Sequence, residues 1–197
     1  IKAAAGGGGI GMQIVHQADE FESALKLCQS RAKSAFGDER VFVEKYIQGA
    51  QHVEFQVLAD GKNAIHFGER FCSIQRRHQK LVEEGPWLTD EKRSEIGSLV
   101  CKGAEAVGYK GLATFEFLRD ANGDFYFLEV NPRVQVEHTV TELITGYNLV
   151  ELGIRVAQGE ALPLKQEDIT WRGHAIQCRL NAEDPREFVP SPGRLWE

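Results

Sequence analysis

Acidic and amide side chains around one predicted β-hairpin could together hold a divalent cation. The dipeptide Asn122-Gly123 separates two aromatic-rich runs, which is the strongest short-range signal for a hairpin. A tight turn centred on this dipeptide places Glu116 directly opposite Glu129, and carboxylates that close require a cation or a shared proton. Asn131 follows two positions later, so a continuing strand keeps its amide on the same face. The spacing favours a Mg²⁺ site that also holds phosphate oxygens, although two hydrated acids on an exposed sheet face would explain it too.

A second group of polar residues follows the predicted hairpin. Pro132 ends the strand because it has no N–H to donate into a ladder. Arg133, Gln135, Glu137 and His138 then lie close together in the chain. Convergent polar groups in a loop at a strand end are common at sites of chemistry, and a structural Arg–Glu pair is the alternative.

Basic residues are concentrated in the segment that precedes the second predicted helix. Five of them lie within eleven positions, namely Arg70, Arg76, Arg77, His78 and Lys80. We interpret this run as a local site for an anion such as triphosphate or bicarbonate. A hydrated loop neutralised by the neighbouring glutamates is the alternative, and the absence of interleaved aromatic residues disfavours a nucleic-acid patch.

A glycine-rich segment near the start of the chain could approach a phosphate closely. Its glycines are Gly6, Gly7, Gly8, Gly9 and Gly11, with Lys2 nearby as a point charge. No GK[ST] sequence follows, so the segment is not a P-loop. Residues 12–15 indicate a second strand rather than a helix, which also excludes a dinucleotide fingerprint. The alternatives are the flexible tip of a hairpin that covers a nucleotide and a simple linker.

Composition limits the classes of protein to which the chain can belong. It has 197 residues and a formal net charge of −6, which gives no reason to expect bulk affinity for nucleic acid. No apolar run approaches the roughly 18 residues of a membrane-spanning helix, and the start lacks the features of a signal peptide. The cysteines have no metal-binding spacing, which favours a cytosolic protein with reduced thiols, and they are Cys28, Cys72, Cys101 and Cys178.

The periodicity predicts an α+β fold. Helices are predicted over residues 19–37, 89–107 and 141–158, and strands over residues 41–47, 52–59, 64–69, 114–119, 125–130 and 173–181. Asp19 and Glu22 predict a capping box for the first helix, and Thr89 predicts an N-cap for the second. Both ends of the chain look like interrupted strands, so we expect a piece of a longer polypeptide.

These segments together resemble the biotin carboxylase component of biotin-dependent carboxylases, in the ATP-grasp superfamily. The motifs that carry the resemblance run from end to end, namely IKAAAGGGGIGM, EKYI with His52-Val53-Glu54, CSIQRRHQKLVEE, TFEFL, FLEVNPRVQVEHTVTE, CRLNAED and PSPG. RRHQK and RxQVEH are specific to carboxylases rather than generic to ATP-grasp ligases. The resemblance implies a mainly antiparallel sheet with flanking helices and part of a small glycine-loop lid. Its expected divisions are a lid part over residues 1–46, a large subdomain over 47–170 and the start of a C-terminal region over 171–197.

The resemblance also implies roles for individual residues. It implies that ATP is bound by Lys2, Gly6, Gly7, Gly8, Gly9, Glu44, Lys45, Ile47, His52, Gln75 and His78. It implies a metal site, for Mg²⁺ or Mn²⁺, of Glu116, Glu129 and Asn131, and a bicarbonate site of Arg133, Gln135 and Val136. Glu137 would be the general base, Lys80 would lie near the γ-phosphate, Arg179 would stabilise the biotin enolate, and Arg133 would also take part in catalysis.

The activity implied is ATP-dependent carboxylation of biotin through carboxyphosphate. Expected partners are a biotin carboxyl carrier protein or domain and a carboxyltransferase, with no nucleic acid and no membrane, in a homo-oligomeric cytoplasmic protein (in the mitochondrial matrix if eukaryotic). Ile10 stands where the family usually has Arg, so one lid contact is expected to differ. The family enzyme is longer at both ends, so we expect these residues alone to bind ATP weakly and to turn over little. Two alternatives stay open, a carbamoyl-phosphate synthetase-like ligase and a non-catalytic module of a larger carboxylase.

Overall fold

The structure, a computed structural model, describes residues 1–5 and 11–194. The predicted phosphate-covering glycines Gly6, Gly7, Gly8 and Gly9, together with Ile10, lie outside the described residues. The chain divides into two compact units. The smaller comprises Ile1–Gln51, Gln75–Gln79 and Leu118–Tyr126, and the larger comprises His52–Ile74, Lys80–Phe117 and Phe127–Glu197.

Eight strands and four α-helices are present in the described part of the chain. The strands are β1 (Lys2–Ala3), β2 (Val41–Phe42), β3 (Gln51–Asp60), β4 (Ala64–Arg76), β5 (Gln79–Gly85), β6 (Lys110–Arg119), β7 (Phe125–Asn131) and β8 (Ala175–Cys178). The helices are α1 (Phe21–Phe36), α2 (Asp90–Ala106), α3 (His138–Thr145) and α4 (Leu149–Ala157). The predicted α+β class is confirmed. None of the described helices has the length and apolar character needed to cross a membrane.

In the smaller unit, β1 and β2 form an antiparallel pair beside α1. The Ile1 amino group donates to Gln13 O and Gln13 N–H donates to Ile1 O, each over 2.9 Å. The chain on either side of the glycine segment therefore comes together as in the predicted hairpin, although residues 12–15 are not a regular strand. The predicted strand over residues 41–47 is limited to β2.

The helix α1 ends where the sequence predicted but begins differently. Gly37 follows it with φ +73°, the left-handed conformation in which glycine has no Cβ strain. The predicted capping box is wrong, because the N-cap is Glu20 and its side chain makes no capping bond. A short 3₁₀ turn, Ala18–Glu20, precedes the helix instead.

The larger unit is built on a six-stranded sheet in the order β7-β6-β3-β4-β5-β8. The predicted strand over residues 52–59 is present as the central strand β3, which is buried on both faces from Val53 to Ala59. The register between β3 and β4 shifts between Phe55 and Val57, and beyond this bulge Glu54 lies opposite Arg70. The basic segment after residue 69, which the sequence favoured as an anion site with a hydrated loop as the alternative, forms the end of β4 and the whole of β5.

The hydrophobic core of this unit lies between the sheet and α4. Its buried members are Leu58, Ile65, Phe67, Leu112, Leu149, Leu152, Val156 and Ile169. The helix predicted over residues 141–158 is in fact two helices, because Gly146 ends α3 with φ +78° and the Asn148 side chain caps α4 by accepting from Glu151 N–H. The predicted Thr89 cap of α2 is confirmed, with its side chain accepting from Lys92 N–H.

The hairpin between β6 and β7 is present, but its turn is not the predicted one. Asp120 N–H donates to Asp124 O over 3.0 Å, Gly123 N–H donates to Asp120 O over 3.1 Å, and Gly123 has φ +92°. This is a three-residue loop with a glycine bulge, in which Asp120 pairs with Asp124. The predicted register, with Glu116 directly opposite Glu129, is therefore displaced by one residue next to the turn.

Candidate active site

One lysine lies among three carboxylates at the centre of the larger unit. Lys80 Nζ, near the start of β5, donates to Glu116 Oε1 over 2.9 Å and to Glu137 Oε1 over 2.8 Å. It also contacts Glu54 Oε2. Burial disfavours the charged amine, but the charges of Glu54 and Glu116 outweigh this and raise the pKa of Lys80 above its ordinary value. Lys80 is therefore a fixed positive charge in a site that is almost closed to water.

Glu116 on β6 collects donors from several elements. Its Oε1 accepts from Asn131 Nδ2 over 2.8 Å and from Gln135 Nε2 over 2.9 Å, and its Oε2 lies 2.6 Å from His52 Nε2. Burial acts to raise the pKa of this carboxyl, but the His52 hydrogen bond and the Lys80 charge lower it well below the ordinary value. Glu116 is therefore an anion that presents its oxygens to the same small space.

Glu137, just before α3, is held between two cations. Its Oε1 accepts from Lys80, and its Oε2 accepts from Arg179 NH2 over 2.8 Å. Burial would raise the pKa of Glu137, yet the Lys80 charge and hydrogen bond lower it. Arg179 Nε in turn donates to Glu83 Oε1 over 2.6 Å.

A fully buried arginine supports this cluster from behind. Arg70 Nε donates to Glu54 Oε1 over 2.6 Å, and its NH1 donates to Gln56 Oε1 over 2.9 Å and to Thr141 Oγ1 over 2.8 Å. Its NH2 contributes a longer bond to Thr114. Arg70 thus joins β3, β6 and α3 and fixes the rotamer of Glu54.

The described donors fit a divalent cation. His52, Glu54 and Glu116 each offer one ligand atom, and these atoms lie within 4.8 Å of one another. Because Asn131 uses its Nδ2 on Glu116, its amide oxygen is available to a cation. Carboxylate and amide oxygens are the donors that Mg²⁺ takes from proteins.

The structure brings Asn131, but not Glu129, into contact with Glu116. Phe127 packs against Phe117 with ring centroids 5.9 Å apart, so Phe127 lies on the opposite face of the hairpin from Glu116. Asn131 reaches Glu116 all the same, although regular alternation from Phe127 would place its side chain on the other face. The carboxylate of Glu129 makes no hydrogen bond or ion pair with any residue that the structure describes.

The predicted bicarbonate residues differ in exposure. Gln135 is buried, and its Oε1 has no hydrogen-bond partner within the described part of the chain. Arg133 is exposed, with NH1 donating to Val134 O over 3.1 Å, and Val136 is 61 % exposed. Of the three residues predicted to bind bicarbonate, only Gln135 contacts the cluster around Lys80, through Glu116.

Most of the residues that the resemblance assigned to ATP lie in the smaller unit. Lys2 Nζ is 3.8 Å from Glu44 Oε2, and Lys45 lies 5.0 Å from the centroid of the Tyr126 ring. Ile47 is half-buried. Gln75 is at the end of β4, and the exposed His78 follows it in the turn to β5 with φ +64°. His52 alone of this set belongs to the larger unit.

Reasoning from the sequence missed three members of the cluster: Glu54, Arg70 as a buried partner, and Glu83. A signal for the first two existed, because β3 and β4 were both predicted and opposite charges placed across a pair of strands attract. The bulge in β4 opposite Gln56 hides this signal, since a hairpin without it would place Glu69 opposite Glu54. Glu83 carried no local signal, because its partner Arg179 is distant in the chain.

Comparison with known proteins places the chain in a class. The family described as carbamoyl-phosphate synthase L chain, ATP binding domain, matches residues 1–165, and the chain belongs to this family. Its fold is that of the ATP-grasp domain of biotin carboxylases, which confirms the predicted fold.

Particular relatives narrow the class further. The chain is 52 % identical to the biotin carboxylase of Allochromatium vinosum over 100 % of its own length and 44 % of the relative. The crystal structure of a biotin carboxylase–β-γ-ATP complex from Campylobacter jejuni matches 96 % of the chain and 43 % of that structure, with a TM-score of 0.91 and 51 % identity. The biotin carboxylase domain dimer of Hydrogenobacter thermophilus 2-oxoglutarate carboxylase, in complex with MgADP, ADP and bicarbonate, matches equal shares with a TM-score of 0.90 and 50 % identity. The chain is thus a homologue of biotin carboxylases, which confirms the resemblance, and it spans less than half the length of these relatives.

Proposed function

We propose that this protein carboxylates biotin on a carrier protein, using ATP, Mg²⁺ and bicarbonate and passing through carboxyphosphate. The observation that carries the proposal is the buried carboxylate of Glu137, held between Lys80 and Arg179. Relatives whose structures hold β-γ-ATP, MgADP and bicarbonate support it. In this proposal a carboxyltransferase receives the product, and the protein is cytoplasmic and homo-oligomeric.

Glu137 is proposed as the base that takes the proton from bicarbonate. Against the effect of burial, the charge and hydrogen bond of Lys80 lower the pKa of Glu137, so it stays ionised and is ready to accept a proton. Because the Lys80 charge lowers the proton affinity of Glu137, this carboxylate becomes a stronger base when a bound anion pairs with Lys80 instead. Lys80 is proposed to act on the transferring phosphoryl group, and Arg179 on the enolate of biotin.

Residues beside Glu137 are proposed to orient bicarbonate. Gln135 has a buried, unpartnered Oε1 that can accept from the bicarbonate hydroxyl. The guanidinium of Arg133 and the backbone of Val136 are proposed to complete the site. Arg133 is exposed and can therefore reorient towards an anion.

Mg²⁺ is proposed to be held by Glu116, Glu129 and Asn131, and when bound it neutralises phosphate charge. The nucleotide residues are proposed from the resemblance, namely Lys2, Gly6, Gly7, Gly8, Gly9, Glu44, Lys45, Ile47, His52, Gln75 and His78. We also propose that residues 1–46 belong to the lid, residues 47–170 to the large subdomain and residues 171–197 to the start of a C-terminal region.

The proposal is tested by following ADP and carboxybiotin formation by the whole protein with bicarbonate and free biotin. We expect ATP cleavage that depends on both, and a loss of at least about a hundredfold in Glu137→Gln, since a positioned acid–base group contributes about 10²–10⁴-fold. Glu151→Gln, an exposed position on α4, is the control and should retain full activity. If the rate of bicarbonate-dependent ATP cleavage is unchanged by biotin but increased by ammonia, carbamoyl phosphate chemistry would be favoured instead, which the family description also allows.

A further inference from the structure

Glu83 is a buried acid that the mechanism above does not use. It lies on β5, its carboxylate is closed to solvent, and its Oε1 accepts from Arg179 Nε over 2.6 Å. Its Oε2 has no hydrogen-bond partner among the described residues. A buried carboxylate with an unsatisfied oxygen is destabilising, so stability alone does not explain this placement.

The pairing of β5 with β8 determines which residue Glu83 meets. Glu83 lies opposite Gln177, and Val82 lies opposite Cys178. Arg179 is therefore the diagonal neighbour of Glu83 on the same face of the sheet. Arg179 N–H also donates to Leu81 O over 2.9 Å, which fixes the backbone of the arginine beside β5.

Two carboxylates hold the Arg179 guanidinium in one orientation. Glu83 accepts from Nε, and Glu137 Oε2 accepts from NH2 over 2.8 Å. The planar fork of arginine cannot rotate without breaking one of these charge-assisted bonds. Without Glu83, the guanidinium could turn about its bond to Glu137, and the direction of its remaining N–H groups would no longer be fixed.

We propose that Glu83 is a positioning residue that aims Arg179 at the carboxyl acceptor. This inference rests on the function proposed above. Glu83 acts only through Arg179, so its removal lowers turnover of the biotin-dependent step and leaves the KM for ATP unchanged. The Glu137–Lys80 contact does not depend on it.

The test compares Glu83→Gln, Glu83→Asp, Arg179→Gln and the double variant Glu83→Gln/Arg179→Gln in the whole protein. We expect Glu83→Gln to lower the biotin-dependent kcat about ten- to a hundredfold, the range for a group displaced by about 1 Å, with a KM for ATP within twofold of wild type. Glu83→Asp should recover part of the loss. In the double variant Glu83→Gln should add less than twofold to the effect of Arg179→Gln. Glu84→Gln, the next residue on β5 and outside the cluster, is the control and should match wild type.

The outcomes separate this inference from the proposed function. A fully active Glu83→Gln variant, or effects that multiply in the double variant, would overturn the role of Glu83 while leaving the function intact. If wild-type protein shows no biotin-dependent activity, the function fails, and the role of Glu83 is then decided by the Arg179 Nε–H signal in NMR. That proton should exchange with solvent slowly in wild type and at least tenfold faster in Glu83→Gln. Equal exchange rates would show that Glu83 does not hold the Arg179 guanidinium in place.

Discussion

At the scale of single residues, the centre of the larger unit is a network of opposite charges buried together. Four glutamates, Glu54, Glu83, Glu116 and Glu137, face Lys80, Arg70 and Arg179. Each charge removed from water needs a partner in place, because an unpaired buried charge is strongly destabilising. The network therefore couples the stability of the fold to the groups proposed to carry catalysis.

Arg70→Met should reveal this coupling. The substitution leaves Glu54 and Gln56 without their buried donor, and breaking a buried pair in this way costs about 3–5 kcal/mol. Urea unfolding of the purified protein measures the loss. Arg155→Met, at an exposed pair with Glu160, should change stability by less than about 1 kcal/mol. If Arg70→Met changed the free energy of unfolding as little as Arg155→Met, the buried network would not be needed for folding.

His66 should make stability depend on pH. Burial lowers its pKa from 6.5 to about 4, the Glu69 charge acts in the opposite direction, and the Arg93 charge adds to the lowering. The unfolded chain therefore binds the proton more readily than the folded protein. The stabilisation is complete above the unfolded pKa of 6.5 and is lost as pH falls towards 4, by roughly 3 kcal/mol in total.

Unfolding free energies measured by urea between pH 7.5 and 4 test this expectation. His66→Phe keeps an aromatic ring against Trp171 but cannot titrate. The decline in stability between pH 6.5 and 4 should be shallower in this variant than in wild type. Parallel curves would mean that other groups cause the decline.

At the scale of elements, close packing depends on particular glycines of α2. A Cβ built on Gly97 would lie 2.3 Å from His66 Nε2, whereas one on Gly103 would meet only Phe115 Cε1 at 3.5 Å. The backbone of α2 is therefore too close to His66 at Gly97 to leave room for a methyl group, whereas at Gly103 a methyl group would make an ordinary van der Waals contact.

The two glycines give a matched pair of substitutions. Gly97→Ala should destabilise the protein by about 1–3 kcal/mol, because the buried imidazole has to move. Gly103→Ala should be neutral or stabilising by up to about 1 kcal/mol, because alanine is the better helix former. Thermal unfolding of both variants checks the contrast, and similar melting temperatures would contradict the packing described.

At the scale of the whole molecule, binding of nucleotide and metal should appear as added stability. A ligand at about a hundred times its Kd stabilises the native state by about 2.7 kcal/mol. We expect a non-hydrolysable ATP analogue to raise the melting temperature more with Mg²⁺ than with EDTA. Glu129→Gln should lose most of this difference, and Asp124→Asn in the exposed turn should keep it. An unchanged difference in Glu129→Gln would remove Glu129 from the proposed metal site.

Local patterns were sufficient to predict much of this protein. Helix ends at Gly37 and Thr89, the hairpin around Gly123 and the polar character of the segment around Glu137 follow from short-range rules about φ angles, capping and turns. Those rules act over a few residues, so the sequence alone exposes them. The chemistry of the segments was recognised for the same reason, through residue types at short spacing.

Register and pairing were decided only by the tertiary structure. A bulge in β4, where Phe67 and Gly68 lie opposite Gln56, places Arg70 rather than Glu69 opposite Glu54, and the three-residue turn displaces the predicted β6–β7 register by one residue next to Asp120. Because side chains in strands alternate with a period of two, a shift of one residue exchanges the faces. Contacts such as Glu83 with Arg179 join residues far apart in the chain, and no local pattern encodes them because they form only when β5 and β8 pair.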